Sequence, residues 1–575
     1  MMESLRDWLL ARPVNKQSEG GIQRITAWKS DLNQPTPESK RPQSMPRTFK
    51  ATSRRHRIIF MSNSGRTAVS AQSSVENLSE SSGNVVGLTG RIEQAHDQGG
   101  LVSDADTEDL FPRKPPMSAG RDRPPVPDLY TCPPPIRDGL VTETSDLQDE
   151  TVQECLPYLS GAVDPSKGPF DFNPHGLPPL EREKHVAFLH NVLGTLPAAY
   201  VGYDASRPWI LYWALTGLYL LGQDISQYQE RTIQTLSPMQ NTSGGFGAGH
   251  GQTSHCAASY AAVLSLAIVG GNDALDTIDR RSLWRWLGEL KRGDGGFQVC
   301  LGGEADVRGA YCSMVMISLL DLPLELPPDV PARESGCESF VSGLPEYLSR
   351  CQTFEGGISG APDTEAHGAY AFCALACLSI LGPPHEYIPK YLDMPLILSW
   401  LSARQYAPEG GFAGRTNKLI DGCYSWWVGG CWPLLEAALN GPQISENPTT
   451  PITGSLYSRE GLVRYILCCC QSERGGLRDK PSKYADAYHT CYTLAGLSSA
   501  QHYHYVKDAA AGQAVESIDS VFRWASSRAI PIGGGEAEEE VYDEYDRVHA
   551  LHPIFAIPPA AVDRSRLWYR QKGAF

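Results

Sequence analysis

The sequence of 575 residues predicts an all-α protein in which about six inner and six outer helices form an α/α barrel, or toroid. Paired glycines recur five times, at intervals of 51 to 65 residues, and each interval is long enough for two helices and their connections. The predicted helices also alternate between amphipathic and almost wholly apolar segments, as expected where an outer ring encloses an inner ring. The glycine pairs are Gly244–Gly245, Gly295–Gly296, Gly356–Gly357, Gly410–Gly411 and Gly475–Gly476.

Both kinds of helix can be recognised in the sequence. Residues 344–351 place apolar side chains at i, i+3, i+4 and i+7, on one face of a predicted outer helix. Residues 311–320 and 369–381 are apolar nearly all round, which indicates inner helices buried on every side. An open solenoid of helical repeats is the alternative that this pattern leaves open.

Composition divides the chain into two parts. Residues 1–135 are rich in Ser, Pro, Gly, Arg and Gln, and they are predicted to form a disordered N-terminal extension. Burial of the few apolar clusters in this part would not supply enough free energy to offset the conformational entropy lost on ordering. Residues 136–575 are predicted to form the barrel domain, with an acidic loop at about residues 531–546 as a solvated insertion.

Charge and apolar patterning exclude several classes of protein. The net charge of −15 argues against binding nucleic acid through a general basic field. No apolar run reaches the ~20 residues that a membrane span needs. Glu3, Arg6 and Asp7 interrupt the region where a signal peptide would be apolar, so export is not expected. The 15 cysteines follow no spacing of a disulfide framework, so we expect a reducing, cytoplasmic compartment.

The glycine pairs also mark equivalent positions, here called the register, where the inner helices are expected to begin at one end of the barrel. Ten residues after the second glycine of each pair stands a His or an Asp, where an inner helix is expected to begin. Capping of helix N-termini is one explanation for these residues. Further polar and aromatic groups share the register, so we expect a functional site at this end of a closed ring. The register residues are His255, Asp306, His367, Asp421 and Asp486.

One group of residues in this register suggests a metal site. Asp421, Cys423 and His489 offer a carboxylate, a thiolate and an imidazole from adjacent repeats. Three protein ligands with a fourth position open are typical of a catalytic zinc, whereas structural zinc sites are usually closed by four ligands. The alternative is a capping aspartate beside a buried cysteine.

A second group suggests an anion site. Arg415 and Lys418, with His367 and Tyr424, offer positive charge and hydrogen-bond donors that suit a diphosphate and can assist its departure. A solvated loop with unrelated basic residues explains the spacing equally well.

Aromatic residues are frequent on the predicted inner helices. Such residues are normally only core, but in a barrel they could line an apolar cavity for a long hydrocarbon. They are Trp209, Trp213, Tyr260, Tyr311, Phe372, Trp426, Trp427 and Tyr492.

At these residues the sequence resembles the β subunits of protein prenyltransferases, most closely those that transfer farnesyl. The resemblance covers about residues 142–510 and leaves out the N-terminal extension and the acidic loop. One small departure is Ala369, which stands where the family commonly has glycine, so packing there is expected to be tighter. The segments that resemble the family are 203–209 (YDASRPW), 303–312 (GEADVRGAYC), 365–370 (EAHGAY), 414–427 (GRTNKLIDGCYSWW), and 479–481 (DKP) through 488–492 (YHTCY).

The resemblance implies that the barrel pairs with a separate α subunit, uses Zn²⁺ and Mg²⁺, and transfers farnesyl from farnesyl diphosphate. The acceptor is the cysteine of a C-terminal Cys-a-a-X motif. A geranylgeranyltransferase type I β subunit is the alternative within the family. The resemblance makes Asp421, Cys423 and His489 look like zinc ligands, with Tyr424 beside them at the catalytic centre.

Further site residues follow from the same resemblance. Asp479 falls where the farnesyl members have a magnesium-linked aspartate and the type I geranylgeranyl members have a lysine. Arg308 is implied near the C-terminal end of the peptide. The implied diphosphate contacts are His367, Arg415, Lys418 and Tyr424, and the implied walls of the lipid and peptide sites are Trp209, Trp213, Tyr311, Tyr370, Trp427, Tyr488 and Tyr492.

Two other classes of protein compete with this interpretation. Triterpene cyclases also use α/α barrels with aromatic cavities, but they need an Asp-x-Asp-Asp run to protonate their substrate, and the sequence has none. A non-enzymatic helical scaffold would explain the repeats and would leave the aligned Asp, Cys and His as a coincidence. Stoichiometric zinc in the purified protein would separate both from a prenyltransferase.

Overall fold

A computed structural model describes the barrel and its flanking segments. Most of the predicted N-terminal extension, and residues 530–540 of the acidic insertion, lie outside the described residues. Among the described residues, no helix has the length and apolar character needed to cross a membrane. The described residues are 126–133, 139–160, 173–443, 455–508, 517–529, 541–573 and 575.

The described residues form eighteen α-helices and one antiparallel hairpin. The first helix begins where the helical pattern of the sequence begins, with Thr142 and Ser145 capping each other reciprocally. The hairpin, β1 (His502–Val506) with β2 (Trp524–Arg528), is an addition to the all-α prediction. In chain order, α1 to α18 are Glu143–Leu159, Arg182–Val192, Arg207–Leu220, Gln229–Leu236, Cys256–Val269, Asn272–Asp276, Arg280–Leu290, Val307–Leu319, Pro331–Glu334, Leu344–Arg350, Gly368–Leu381, Pro384–Tyr391, Met394–Ser402, Tyr424–Trp427, Cys431–Asn440, Arg459–Arg464, Ala487–Gln501 and Pro559–Lys572.

Six helical segments form a closed inner ring: α3, α5, α8, α11, α14 with α15, and α17. Each packs against the next, and α17 packs against α3 to close the ring. Every residue of α8 and α17 is buried, whereas the outer helix α7 buries one face. The outer ring consists of α2, α4, α7, α10, α13 and α16. The prediction of an α/α barrel is therefore confirmed, and the contact between α17 and α3 excludes an open solenoid.

The paired glycines make contacts that larger residues cannot make. The first glycine of each pair has a φ of +80 to +97°, and a Cβ there would lie 2.0–2.2 Å from a carbonyl oxygen in the first turn of the next outer helix. The second glycine packs against the ring of an aromatic residue four positions after that carbonyl. The carbonyls belong to Ser282, Gly343, Leu396, Gly461 and Lys184, and the rings to Trp286, Tyr347, Trp400, Tyr465 and Phe188.

The C-terminal segment closes the end of the barrel opposite the register residues. Two tyrosine hydroxyls from inner helices donate hydrogen bonds to it: Tyr212 to the carbonyl of Ala556 (2.9 Å) and Tyr311 to that of Ile554 (2.7 Å). The segment itself is buried, and α18 then packs outside α5 and α8. The C-terminal segment thus covers the interior of the ring at this end.

Replacing the first glycine of a pair is expected to destabilise the barrel beyond the cost of its positive φ. In Gly356→Ala the new Cβ would lie 2.2 Å from the Leu396 oxygen, so the outer helix must move. We expect the free energy of unfolding to fall by more than ~2 kcal/mol. Gly441→Ala is the matched control, because Gly441 also has a positive φ but nothing lies within 4 Å of the added Cβ.

The control is expected to lose only the cost of its backbone conformation, about 1–3 kcal/mol at φ +67° and ψ −171°, and Gly356→Ala is expected to lose more than the control. The melting temperatures of both variants measure the difference. Equal losses in Gly356→Ala and Gly441→Ala would show that the close contact with α13 does not matter.

Candidate metal and substrate site

Three side chains from two adjacent inner segments meet at the register end of the barrel. Asp421 and Cys423 lie in the turn before α14, and His489 lies in the first turn of α17. All three are buried, and their ligand atoms lie within 4.8 Å of one another. The Nε2 atom of His489 lies 3.1 Å from Oδ1 of Asp421. The structure therefore brings together the three residues that the sequence suggested as zinc ligands.

Asp486 orients the imidazole of His489. Its side chain caps α17 by accepting from the His489 N–H (2.9 Å), and its other oxygen lies 2.7 Å from His489 Nδ1. A proton on Nδ1 leaves Nε2 as the atom that faces Asp421 and Cys423. Among the described residues, buried Nε2 has no well-directed hydrogen bond. A carboxylate behind a histidine in this way is typical of metal sites.

The electrostatics of the three groups fit a divalent cation. Burial and the neighbouring Asp421 carboxylate raise the pKa of the Cys423 thiol, so a thiolate there needs a compensating positive charge. Burial also acts to raise the pKa of Asp421, but His489 and Lys480 outweigh it and hold that pKa below its usual range. One carboxylate, one potential thiolate and one imidazole match the chemistry of zinc ligands.

Asp479 lies beside this group and faces a buried lysine. Its Oδ1 is 2.6 Å from the ammonium nitrogen of Lys480, and both side chains are mostly buried. Burial, together with repulsion from Asp421, raises the pKa of Asp479 to about 6. Sequence reasoning did not identify Lys480, although it is the next residue along the chain. It supplies positive charge to two carboxylates.

A second cluster surrounds His367 at the beginning of α11. His367 caps the helix through Nδ1, and its Nε2 lies 3.1 Å from the Tyr424 hydroxyl. Its ring also contacts Tyr370, over which the Arg308 guanidinium lies at 5.5 Å. Burial and the charges of Arg415 and Arg308 lower the pKa of His367 to about 3. The imidazole is therefore neutral among cationic neighbours.

The two predicted basic residues of the loop before Asp421 are placed differently. Arg415 is partly buried and pairs with Glu365 at 3.0 Å. Lys418 is exposed, and among the described residues it has no ion pair or hydrogen bond. The structure thus brings His367, Tyr424 and Arg415 together, and it leaves the Lys418 side chain on the adjacent loop.

Arg308 lies on the far side of His367, next to a small pocket. Its Nε donates to the Asp306 carboxylate (2.9 Å), and Glu304 lies 3.7 Å from its guanidinium. The pocket is lined by His255, Cys256, Ala257, Val299, Glu304, Arg308 and Cys312. Arg308 is therefore a buried cation at the edge of the barrel's mouth, which is the end where the register residues lie.

Seven of the eight aromatic residues predicted on the inner helices form a continuous belt inside the ring together with Tyr488, and the eighth, Trp426, contacts the belt at Phe372. Neighbouring rings are 4.6–5.7 Å apart between centroids, and each inner segment contributes at least one ring. The belt lies between the polar cluster at the mouth and the C-terminal segment at the closed end. In order around the ring it is Trp209, Tyr260, Tyr311, Phe372, Trp427, Tyr492, Tyr488 and Trp213.

Helix capping, the alternative explanation for the register residues, is also correct for four of the five. His255, Asp306, His367 and Asp486 each accept a backbone N–H at the beginning of an inner helix. Asp421 is the exception, because α14 begins after Cys423 instead. A capping role therefore does not exclude a second contact, since His367 also lies against the Tyr424 hydroxyl and Asp486 against His489 Nδ1.

Comparisons with known proteins agree with this architecture. Residues 180–557 match the family described as the prenyltransferase alpha-alpha toroid domain. The chain is 54% identical to the protein farnesyltransferase subunit beta of Pyricularia oryzae, over 80% of this chain and 88% of that protein. It is 39% identical to the corresponding subunit of Schizosaccharomyces pombe, over 64% and 86%. For the geranylgeranyl transferase type-1 subunit beta of Arabidopsis thaliana the identity is 28%, over 56% and 84%.

Removing the charge of Asp486 is expected to weaken metal binding without unfolding α17. Asn caps helices as well as Asp does, so Asp486→Asn keeps the helix but weakens the hold on His489 Nδ1. We expect zinc affinity to fall roughly 10- to 100-fold, measured by competition with a chelator. Asp306→Asn, the same change at the cap of α8, is the control and should leave zinc affinity unchanged. Equal affinities in both variants would contradict the role of Asp486.

Proposed function

We infer that this chain, which belongs to the family of protein farnesyltransferase β subunits, is the catalytic β subunit of a protein farnesyltransferase. The observation that supports this most is the position of the buried Asp421, Cys423 and His489 group at the mouth of an aromatic-lined barrel. A metal-bound thiolate and a long prenyl chain are the two things that such an enzyme must hold side by side.

The proposed metal centre prepares the nucleophile. Asp421, Cys423 and His489 would hold Zn²⁺ and leave one position open. Bound there, zinc supplies the positive charge that keeps the thiol of an acceptor cysteine deprotonated near neutral pH. The protein residues orient this site: Asp486 fixes the His489 ring, and the N–H of Cys423 donates to Asp421 Oδ1 over 2.8 Å.

The cluster around His367 would receive the diphosphate. Negative charge grows on the departing diphosphate as the thiolate attacks the first carbon of the prenyl chain. The Tyr424 hydroxyl, His367 and Arg415 lie where they can donate to it, and exposed Lys418 can fold over the same site. These donors stabilise the charge where it develops, which is how such a cluster accelerates the reaction.

We assign the aromatic belt to the prenyl chain and Arg308 to the peptide. The end of a farnesyl group would pack beside the C-terminal segment, because Tyr311 donates a hydrogen bond to that segment and Trp209 contacts Tyr212, which does the same. Tyr492 would extend this part of the belt through its contact with Trp427. Arg308 can meet the negative C-terminal end of a Cys-a-a-X peptide at the rim. Trp213, Tyr370, Trp427 and Tyr488 would line the region that both substrates share.

A separate α subunit is proposed to cover the mouth. Among the described residues, four large apolar side chains are exposed on connections that lead from an outer to an inner helix: Val201 (80%), Leu301 (56%), Phe354 (91%) and Tyr484 (91%). Exposed apolar residues around a functional rim favour a protein partner there. All 15 cysteines are free thiols, which supports the proposal of a reducing, cytoplasmic location.

Coexpression with a farnesyltransferase α subunit tests the proposed function. The complex is expected to contain one zinc and to transfer farnesyl to a Cys-a-a-X peptide, with geranylgeranyl diphosphate as the poorer donor. Cys423→Ala should lose most zinc and reduce transfer roughly 100-fold or more, while farnesyl diphosphate still binds. Cys431→Ala, another buried cysteine in the neighbouring helix α15, is the control and should keep both zinc and transfer.

Two outcomes would contradict these assignments. Full zinc in Cys423→Ala would remove that residue from the ligand set. A zinc-containing complex that prefers geranylgeranyl diphosphate would instead favour the type I geranylgeranyltransferase, and one that transfers neither lipid would refute the function.

We propose that Asp479 binds a magnesium ion at the diphosphate. A lysine in its place would put an ammonium near the same oxygens, so Asp479→Lys should lower activity and make what remains less dependent on Mg²⁺. Asp479→Asn removes the negative charge without adding a positive one. This variant should have lower activity and should still require Mg²⁺, at a higher concentration than the unsubstituted enzyme does. Magnesium titrations of the transfer rate measure both, and titrations that match the unsubstituted enzyme would remove Asp479 from the site.

Lipid length is expected to depend on Trp209. Trp209→Thr opens space of roughly one isoprene unit in the aromatic belt, so geranylgeranyl transfer should rise relative to farnesyl by about 10-fold or more. Tyr492→Phe should add to the shift. Trp432→Thr is the control, because this buried tryptophan stacks on Tyr457 outside the belt. If kcat/KM for the two lipids keeps its ratio in Trp209→Thr, the residue only packs the barrel.

A further inference from the structure

The outer helix α16 continues into a turn of π-helix, Tyr465–Cys470. The i→i+5 hydrogen bonds of a π-helix bring residues five positions apart close to one another. Tyr465 and Cys470 are five apart, and both side chains reach the carbonyl oxygen of Asp479. The Tyr465 hydroxyl donates to it over 2.6 Å, and the Cys470 thiol lies 3.7 Å away. The irregular turn thus aims two buried donors at one backbone atom.

The same carbonyl oxygen also contacts the turn that bears two proposed zinc ligands. The N–H of Gly422, between Asp421 and Cys423, donates to it over 3.0 Å. A Cβ on Gly422 would lie 2.6 Å from the Arg478 oxygen, so the two backbones are in direct contact. The Asp479 carbonyl therefore connects the outer helix to the ligand turn.

We propose that Tyr465 is a positioning residue for the zinc centre. Its hydroxyl holds the Asp479 peptide, and that peptide holds the Asp421–Cys423 turn through the N–H of Gly422. Metal ligands must be placed to within about 0.5 Å, so a hydrogen bond that restrains the turn contributes to metal retention. The inference rests on the proposed function in taking zinc as the resident ion.

The ring and the hydroxyl of Tyr465 have separate roles. The ring packs against Gly411, as the aromatic residue of every other repeat packs against its glycine. The hydroxyl makes the contact with Asp479. At the equivalent position two repeats earlier, the Tyr347 ring packs against Gly296, and its hydroxyl reaches the Ala305 carbonyl at 3.4 Å instead. Removal of the hydroxyl alone is therefore a clean test with a matched control.

The experiment compares zinc release from two variants of the complex with the α subunit. Tyr465→Phe and Tyr347→Phe are each loaded with zinc, and transfer of the metal to a chromogenic chelator is followed over time. Tyr465→Phe is expected to release zinc roughly 3- to 10-fold faster than the unsubstituted complex, and Tyr347→Phe at the unchanged rate. Both variants keep their rings, so their melting temperatures should stay close together.

The two possible failures can be told apart. Equal release rates in both variants, whether unchanged or equally faster, would overturn the positioning role, since a general loss of packing affects both repeats. The release measurement needs no prenyl transfer. A complex that holds zinc but transfers no lipid would therefore refute the proposed function alone, while the comparison of the two tyrosines would still decide the role of Tyr465.

Discussion

The close approach of each paired glycine to an outer helix is the contact on which the barrel depends. At each contact, the loop before an inner helix packs against the outer helix of the next repeat. The two backbones lie so close together that no residue with a Cβ atom fits at the glycine position. Because the last pair, Gly475–Gly476, packs in the same way against α2, the contact that joins neighbouring repeats also closes the ring. Without closure the inner helices would not enclose a cavity, and the register residues would not face one another.

Closure makes one end of the barrel a ring of helix N-termini, and the proposed zinc site lies where the repeat is irregular. Four register residues cap their helices, but Asp421 does not, because α14 begins later and ends after one turn. The outer helix of the same region contains the π turn. Natural proteins commonly depart from their regular pattern at functional sites. The first departure directly follows the Asp421–Cys423 turn, and the second contacts that turn through the Asp479 carbonyl.

Electrostatics explains why this turn suits a cation. Asp421, Asp479 and Asp486 are buried close together, with Lys480 paired to Asp479 and the His489 ring between Asp421 and Asp486. Burial and mutual repulsion raise the free energy of such a cluster unless more positive charge is added. A divalent ion at Asp421, Cys423 and His489 would supply this positive charge. The proposed diphosphate site around His367 uses other side chains, so the two sites do not compete for the same ligand atoms.

Local spacing in the sequence was enough to predict the repeats, the barrel, the register and the residue types of the site, because each depends on positions within one repeat. The sequence also contains a repeated feature that the glycine spacing alone did not reveal: five of the six outer helices carry an aromatic residue that packs on a glycine pair, namely Phe188, Trp286, Tyr347, Trp400 and Tyr465. The roles of individual residues came from the resemblance to a family.

Only the tertiary structure decided which way the imidazole of His489 faces, that Lys480 pairs with Asp479, and that Lys418 stays exposed. It also decided that the C-terminal segment closes the cavity through a hydrogen bond between residues 243 positions apart, Tyr311 and Ile554. These features depend on contacts between distant parts of the chain, whose partners are chosen by ring closure and packing and are not encoded in any local period of the sequence.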